Sequence, residues 1–450
     1  MIVRLVNKAR GEGLKAKLLR GGAGSIIVKV SHIFMALGVT VLLANVLGPA
    51  GYGVYAYVFA LVSLMAIPAQ FGLPNLVVRE TAKAQANEQW GLMRGLWRWT
   101  NGAVGVLALL IALLAGGLAW ALADLFTHLQ LTTFVFSLLL VPLIALGNLR
   151  GAALRGLQKV VQGQLPECVL RPGLLIALVG GMVLLLPDDA VTAAHAMGLH
   201  ALAAGVAFVI GAMMLARARP APIKARPAPT YEGRAWVSAA VPLGIIGGMQ
   251  VISAHTDVLM LGLFVSAEDV GIYRIAVQAA SLVAFPISAM NMVIAPFVSH
   301  LFACSDMSRL QRMVTSAAIF CFVSAGSIAL VFVVFGGEIL ALVFGEAFRA
   351  SYLPMAILCV GQIVVVTLGS LVTIANMSGH ERETAKIMAI GAALNVVLNL
   401  LLIPPFGVVG AATATVGSLA VWRLILFFGL IRWTGINPSI VGMRKLAMRW

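Results

Sequence analysis

Charge is the scarce quantity in this sequence. Of 450 residues, 10% are Asp, Glu, Lys or Arg and 61% are hydrophobic, with a mean hydropathy of +1.01. A soluble domain carries about 25% charged and roughly 45–50% apolar residues, so a fold solvated only by water is excluded. Cysteine is also sparse. Cys168, Cys304, Cys321 and Cys359 form no CxxC or metal-ligand spacing; two fall in predicted cytoplasmic loops and two inside helices, and free thiols are expected. There is no GxxxxGK[ST] run, which excludes P-loop nucleotide hydrolysis within the chain. Polar stretches long enough to form a separate domain are missing. The outer loops are short and poor in His and Asp (His128, Asp188, Asp189), which leaves little for acid–base catalysis.

What is present is apolar length. Candidate helices cover roughly 23–46, 51–73, 100–123, 131–153, 170–187, 191–216, 236–264, 269–297, 313–335, 353–377, 386–403 and 408–431. Most exceed the ~20 residues that cross a bilayer core, so the expected class is an all-α membrane protein of about twelve spans. The first apolar run is too long for a cleavable signal core, and the basic stretch through Arg20 reads as an interfacial helix.

The net charge of +15 is distributed by topology. With the N-terminus inside, 27 of the 31 Lys and Arg fall in the N-terminal arm, the loops after even-numbered helices and the C-terminal tail, and the outside loops hold only Arg349. Outside instead are Asp188, Asp189, Glu268, Asp269, Glu338 and Glu346. This asymmetry orients the chain with both termini cytoplasmic, in a bacterial inner membrane. The basic residues therefore read as topology signals and lipid-headgroup contacts, with no nucleic-acid partner.

A shift of 218 residues brings Gly53-Val54-Tyr55 onto Gly271-Ile272-Tyr273, Pro68 onto Pro286, Pro187 onto Pro405 and Ala193-Ala194 onto Ala411-Ala412. The organisation read from this is an N-terminal lobe over 1–216, a basic Pro-rich cytoplasmic linker over 217–235, a C-terminal lobe over 236–431 and a basic tail over 432–450. The linker composition predicts an extended segment. Both six-helix lobes enter from the cytoplasm, so the repeat is parallel, about a pseudo-two-fold axis along the membrane normal. That plan belongs to alternating-access carriers with a path between the halves.

Leu43–Glu80 (LANVLGPAGYGVYAYVFALVSLMAIPAQFGLPNLVVRE) resembles the first two helices of polysaccharide-transport flippases, in the superfamily that also holds multidrug extruders and peptidoglycan-precursor flippases. Asp257–Ala276 resembles the seventh-helix hairpin of that family. Gly379–Thr415, with Asn395, Asn399, Pro404, Gly407 and Gly410-Ala411-Ala412, resembles its eleventh-to-twelfth helix region. The resemblance implies a MATE-like, two-lobed, V-shaped carrier that moves a lipid-linked oligosaccharide from the cytoplasmic to the outer leaflet.

Charges inside apolar helices are functional candidates, because each costs about 2.5–3.5 kcal/mol to insert. Asp257 and Arg274 stand at similar depth on either side of the turn near 265–266, and pairing would lower the cost of both. Arg274, Gln278 and Ser281 share a helix face. Lys29, roughly 9 Å into the first helix, and His32 face the same way; Lys29 either meets a phosphate or reaches back to the cytoplasm. Arg423, beside Trp422, is either a phosphate contact or an interfacial anchor. Asn395 and Asn399 share a face and suit interhelical hydrogen bonds. Arg79-Glu80 is either a cytoplasmic gate or a surface pair.

The resulting hypothesis is a cationic interior that binds a polyprenyl-pyrophosphate headgroup, driven by the membrane potential, with H+ or Na+ coupling at Asp257 as an option and no other cofactor. Membrane lipids and glycan-assembly proteins are the expected partners. A drug or small-cation extruder would favour acid in its helices, whereas these hold three cations and one clear anion. A glycan ligase or polymerase would need larger outer loops, and a non-transporting scaffold remains a further alternative.

Overall fold

The computed structural model describes residues 14–185, 191–225 and 227–442. The sequence expectations for the basic arm up to residue 13, for Asp188, Asp189 and Arg226, and for Arg444, Lys445 and Arg449 lie outside the described residues. Among the described residues every regular element is helical: α1 (Leu14–Gln70), α2 (Leu73–Ala86), α3 (Trp90–Ala121), α4 (His128–Leu138), α5 (Leu140–Gly156), α6 (Val160–Leu165), α7 (Arg171–Leu185), α8 (Ala193–Ala218) and α9 (Ala221–Lys224). There follow α10 (Gly233–Phe264), α11 (Ala267–Val283), α12 (Phe285–Ala303), α13 (Met307–Phe344), α14 (Tyr352–Leu368), α15 (Leu371–Met377) and α16 (Glu381–Thr434). Eight helical stretches are long and apolar enough to cross a membrane, or up to ten when each bent pair counts as one.

The breaks have identifiable causes. α1 and α16 run for 57 and 54 residues but are interrupted at Gly48 (φ 65°, ψ 179°) and Gly407 (φ 54°, ψ −128°). Both breaks lie in gaps left between expected spans, and both backbone conformations favour glycine. The span expected over 269–297 is bent by 48° between α11 and α12. Pro286 opens α12 there, where a missing N–H costs least.

The chain divides into two compact units. One holds the chain up to Leu47 together with Val58–Ile252; the other holds Gly48–Tyr57 and everything from Ser253 onward. In the first unit the linker is not wholly extended. Pro220 and Pro222 start the single turn of α9, which buries Ile223. Beyond it, Arg94 Nη1 donates to Pro227 O at 2.5 Å and Thr230 N donates to Gly91 O at 3.1 Å. A Cβ on Gly95 would overlap the Thr230 carbonyl, so glycine lets this strap lie on α3.

In the second unit the two glycines matched by the 218-residue offset face each other. An ideal Cβ on Gly53 would lie 2.9 Å from Gly271 N and overlap Ala267 O; one on Gly271 would lie 3.1 Å from Gly53 N and overlap Pro49 O. Pro49 and Ala267 are also separated by 218, so the contact is reciprocal, residue for residue. A core of Val298, Leu310, Leu371, Ile374, Leu426 and Leu430 closes another part of this unit. Residues 436–442 fold back onto it: Gln311 Oε1 accepts from Asn437 N at 2.8 Å and Gln311 Nε2 donates to Asn437 O at 2.5 Å.

Candidate functional site

Asp257, on α10, is the centre of a polar cluster in the second unit. Its Oδ2 accepts from Tyr273 Oη at 2.9 Å and Thr415 Oγ1 at 2.6 Å. Its Oδ1 accepts from Asn399 Nδ2 at 2.8 Å and Asn395 Nδ2 at 3.1 Å. The local fold explains the convergence. Asn395 and Asn399 are one helical turn apart, so both amides reach one oxygen. The break at Gly407 then returns α16 so that Thr415 reaches the other. Gly410 lets the two limbs approach, since a Cβ there would overlap Leu402 O. Tyr273 is fully buried, and the donated hydrogen bonds occupy both oxygens of the Asp257 side chain.

This differs from the ion pair expected with Arg274. Four neutral donors satisfy Asp257, while the guanidinium of half-buried Arg274 makes no hydrogen bond or ion pair among the described residues. The depth argument placed the two residues at one level but did not set which way each faces. Tyr273, one residue from Arg274 on α11, takes the inward position. Tyr273 and Thr415 were not singled out as site residues, although Tyr273 already lay in the repeated Gly-x-Tyr motif.

The cluster has a defined chemistry. Asp257 Oδ1 and Oδ2, Tyr273 Oη and Thr415 Oγ1 bring four oxygens together with one formal charge, and the Asn395 and Asn399 amides complete the surround. Asn399 Oδ1 is buried without a partner. Hard cations prefer oxygen ligands, and a single carboxylate balances a proton or a monovalent cation. The amides as placed point N–H groups at the carboxylate; amide rotation would exchange donor for acceptor. No group of three or more His, Cys, Asp or Glu is placed to hold a metal among the described residues.

The remaining candidates each have their own local contacts. Lys29 and His32 are exposed on α1, with His32 Nδ1 3.1 Å from Cys168 O. Gln278 is half-buried, and Ser281 Oγ donates to its carbonyl at 2.6 Å. The Arg423 guanidinium lies over the Trp422 ring at 4.8 Å with its Nε buried and unpartnered. Arg79 Nε donates to Glu80 Oε1 at 2.9 Å, with the arginine side chain 55% exposed. All four cysteines are free.

Arg150 requires a correction. The positive-inside count placed it with the loop cations, but it is 5% exposed within α5. Its Nη2 donates to Glu167 Oε1 at 3.1 Å, and Arg171 reaches Glu167 Oε2 at 3.2 Å. Its Nη1 donates to Phe208 O, and its guanidinium stacks 5.0 Å from the Phe208 ring centroid. Gly211 makes room, since a Cβ there would lie 2.5 Å from the guanidinium carbon. A carboxylate 17 residues away in sequence, on another helix, is what permits the burial.

Comparison with known proteins agrees with this architecture. The chain is 26% identical over 406 residues to the "Probable low-salt glycan biosynthesis flippase Agl15" of Haloferax volcanii, covering 88% of this chain and 80% of that protein. Among solved structures, the inward-facing multidrug resistance MATE family transporter of the MOP superfamily superposes with a TM-score of 0.71 at 13% identity, covering 90% of this chain and 98% of that one. The lipid II flippase MurJ, in its inward closed conformation, gives 0.70 at 12% identity, covering 91% and 87%. At these identities the structural likeness is one of fold, and the fold is that of MATE-like membrane transporters. The family model described as "Polysaccharide biosynthesis protein" matches residues 18–302, more than half of the chain, and the chain belongs to that family.

Proposed function

We propose that this protein is a flippase, a transporter and not an enzyme, that carries a lipid-linked oligosaccharide to the outer leaflet during polysaccharide biosynthesis. Family membership and the flippase named in Haloferax volcanii support the class of activity. Counting α1 and α16 as two spans each, the reading keeps twelve helices in two repeat-related lobes. The charge asymmetry supports both termini on the inner face of the cytoplasmic membrane. Glycan-assembly proteins are the proposed neighbours.

The observation that carries the cargo chemistry is Arg274. A guanidinium inside an apolar bundle, whose nearest expected counter-charge is satisfied by neutral groups, is available to an anion. A polyprenyl-pyrophosphate headgroup supplies one, with oxygens that accept the planar guanidinium fork. Lys29, His32, Gln278 and Arg423 remain in the proposed path, with Arg79-Glu80 as its gate. An inside-negative potential contributes about 2.3 kcal/mol per charge per 100 mV, so a headgroup of about two negative charges is driven outward. The Asp257 cluster is the proposed seat of any coupled H+ or Na+.

The test is export of the lipid-linked glycan by cells carrying Lys29→Ala/Arg274→Ala. The expected result is loss of outer-leaflet glycan by more than tenfold with unchanged protein in the membrane, and partial recovery with Arg274→Lys. Full export by the double alanine variant would remove the charge-contact mechanism.

A further inference from the structure

The first unit contains a cationic cavity that the transport reading does not use. It encloses about 410 Å³ between α3, α5, α8 and the start of the linker, lined by Arg94 and Arg98 of α3, Arg150 of α5 and Arg219 just beyond α8. Among the described residues no carboxylate lines it. Glu167 neutralises Arg150 from another side and is shared with Arg171. Arg94 is held by the linker carbonyl of Pro227. The side chains of Arg98 and Arg219, both exposed residues, have no hydrogen bond or ion pair among the described residues. Asn101, also in the lining, spends its amide N–H on Trp97 O at 2.7 Å and keeps its oxygen.

Four arginines around one space, two of them uncommitted, form a strong anion receptor. Arginine pairs phosphate oxygens through parallel N–H bonds, and the fork geometry adds selectivity over a point charge. The surroundings narrow the ligand further. Arg98 also lines an adjoining cavity of about 590 Å³ whose other walls include Trp99, Val106, Leu107 and Tyr231. From there α3 presents an exposed apolar face through Leu109, Leu110 and Leu113. An anion site that opens onto a Trp/Tyr-bordered apolar helix face has the layout of a bilayer interface, where aromatic rings sit at headgroup level.

We infer that this cavity binds the phosphate ester of an anionic membrane lipid, with the phosphate among Arg98, Arg150 and Arg219 and the acyl chains along α3. The site lies within one unit and shares no lining residue with the proposed cargo path, so it acts as a lipid-binding site on the carrier. Arg150 and the Arg94–Pro227 contact pre-position the charges, and Arg98 and Arg219 close on the ligand. Because the linker forms part of the wall, occupancy of the cavity braces the strap that leads into α10.

The experiment is equilibrium lipid binding by the full chain in detergent, read as lipid adducts by native mass spectrometry. The probes are dioleoylphosphatidylglycerol, dioleoylphosphatidylcholine and glycerol 3-phosphate. The wild-type chain is expected to prefer the anionic lipid, and Arg98→Gln/Arg219→Gln to weaken that binding by about tenfold or more, in line with loss of charge-assisted bonds. Arg312→Gln/Arg382→Gln makes the same charge change in the other unit and is expected to keep the preference. Equal binding of the two lipids, or unchanged anionic-lipid binding in Arg98→Gln/Arg219→Gln, overturns the inference. Glycerol 3-phosphate that displaces the lipid only at millimolar concentration supports a lipid ligand. Tight, Arg98-dependent binding of glycerol 3-phosphate overturns the lipid assignment and gives the site to a soluble phosphate ester. The readout involves no transport, so it is independent of the export assay.

Discussion

Asp257 shows how a single residue changes meaning once its neighbours are known. Its insertion cost and depth suggested an ion pair, but Tyr273, Thr415, Asn395 and Asn399 divide its two oxygens among neutral donors. Asp257→Asn retains the shape but turns one oxygen into a donor, so it leaves at least one buried N–H or O–H unsatisfied, at a cost of about 1–3 kcal/mol. Its melting temperature in detergent is expected to fall. If the oxygen set holds Na+, replacing choline chloride by sodium chloride raises the melting temperature of the wild type and not that of Asp257→Asn. A sodium-dependent shift retained in the variant would place the ion elsewhere. Asn395 and Asn399 were legible as hydrogen-bonding residues from their spacing alone. Their partner was not, because Asp257 lies 138 and 142 residues earlier.

At the scale of elements, backbone proximity rather than side-chain size controls the helix crossings. Gly53 and Gly271 each leave no room for a Cβ, and small residues are what allow membrane helices to pack closely. Gly53→Val and Gly271→Val are each expected to lower the melting temperature, by the equivalent of about 1–3 kcal/mol or more of overpacking. Gly117→Ala is the contrast. Nothing lies within 4 Å of its added Cβ, so it is neutral or stabilises by about 0.5–1 kcal/mol through helix propensity. Comparable losses at all three positions would show that the crossing is not the limiting contact. The repeat that places Gly53 opposite Gly271 was visible in the sequence; that the two would touch was not.

The charge distribution carries the proposed orientation of the whole molecule in the membrane. Ser308, at the start of α13, and Ala347, in the turn after its far end, are both exposed. In a background with the four cysteines replaced by serine, Ala347→Cys is expected to react with a membrane-impermeant thiol reagent in intact cells. Ser308→Cys reacts only after lysis. The reverse pattern would invert the orientation inferred from the basic loops. The same count that suggests the orientation misplaced Arg150, because a rule based on charge number does not see that Glu167, on another helix, supplies its counter-ion.

Membrane insertion, helical class, the breaks near Gly48 and Gly407, the repeat offset and the family resemblance were all determined by the sequence alone. They follow from transfer free energies and backbone preferences that each residue expresses locally. Tertiary structure alone decided which charges are satisfied: Asp257 by four neutral donors, Arg150 by Glu167 and Phe208, and Arg274, Arg98 and Arg219 by none of the described residues. That outcome depends on how far each helix is rotated about its axis and which distant helix packs beside it. Helical periodicity places residues on a common face, but only packing selects what that face meets.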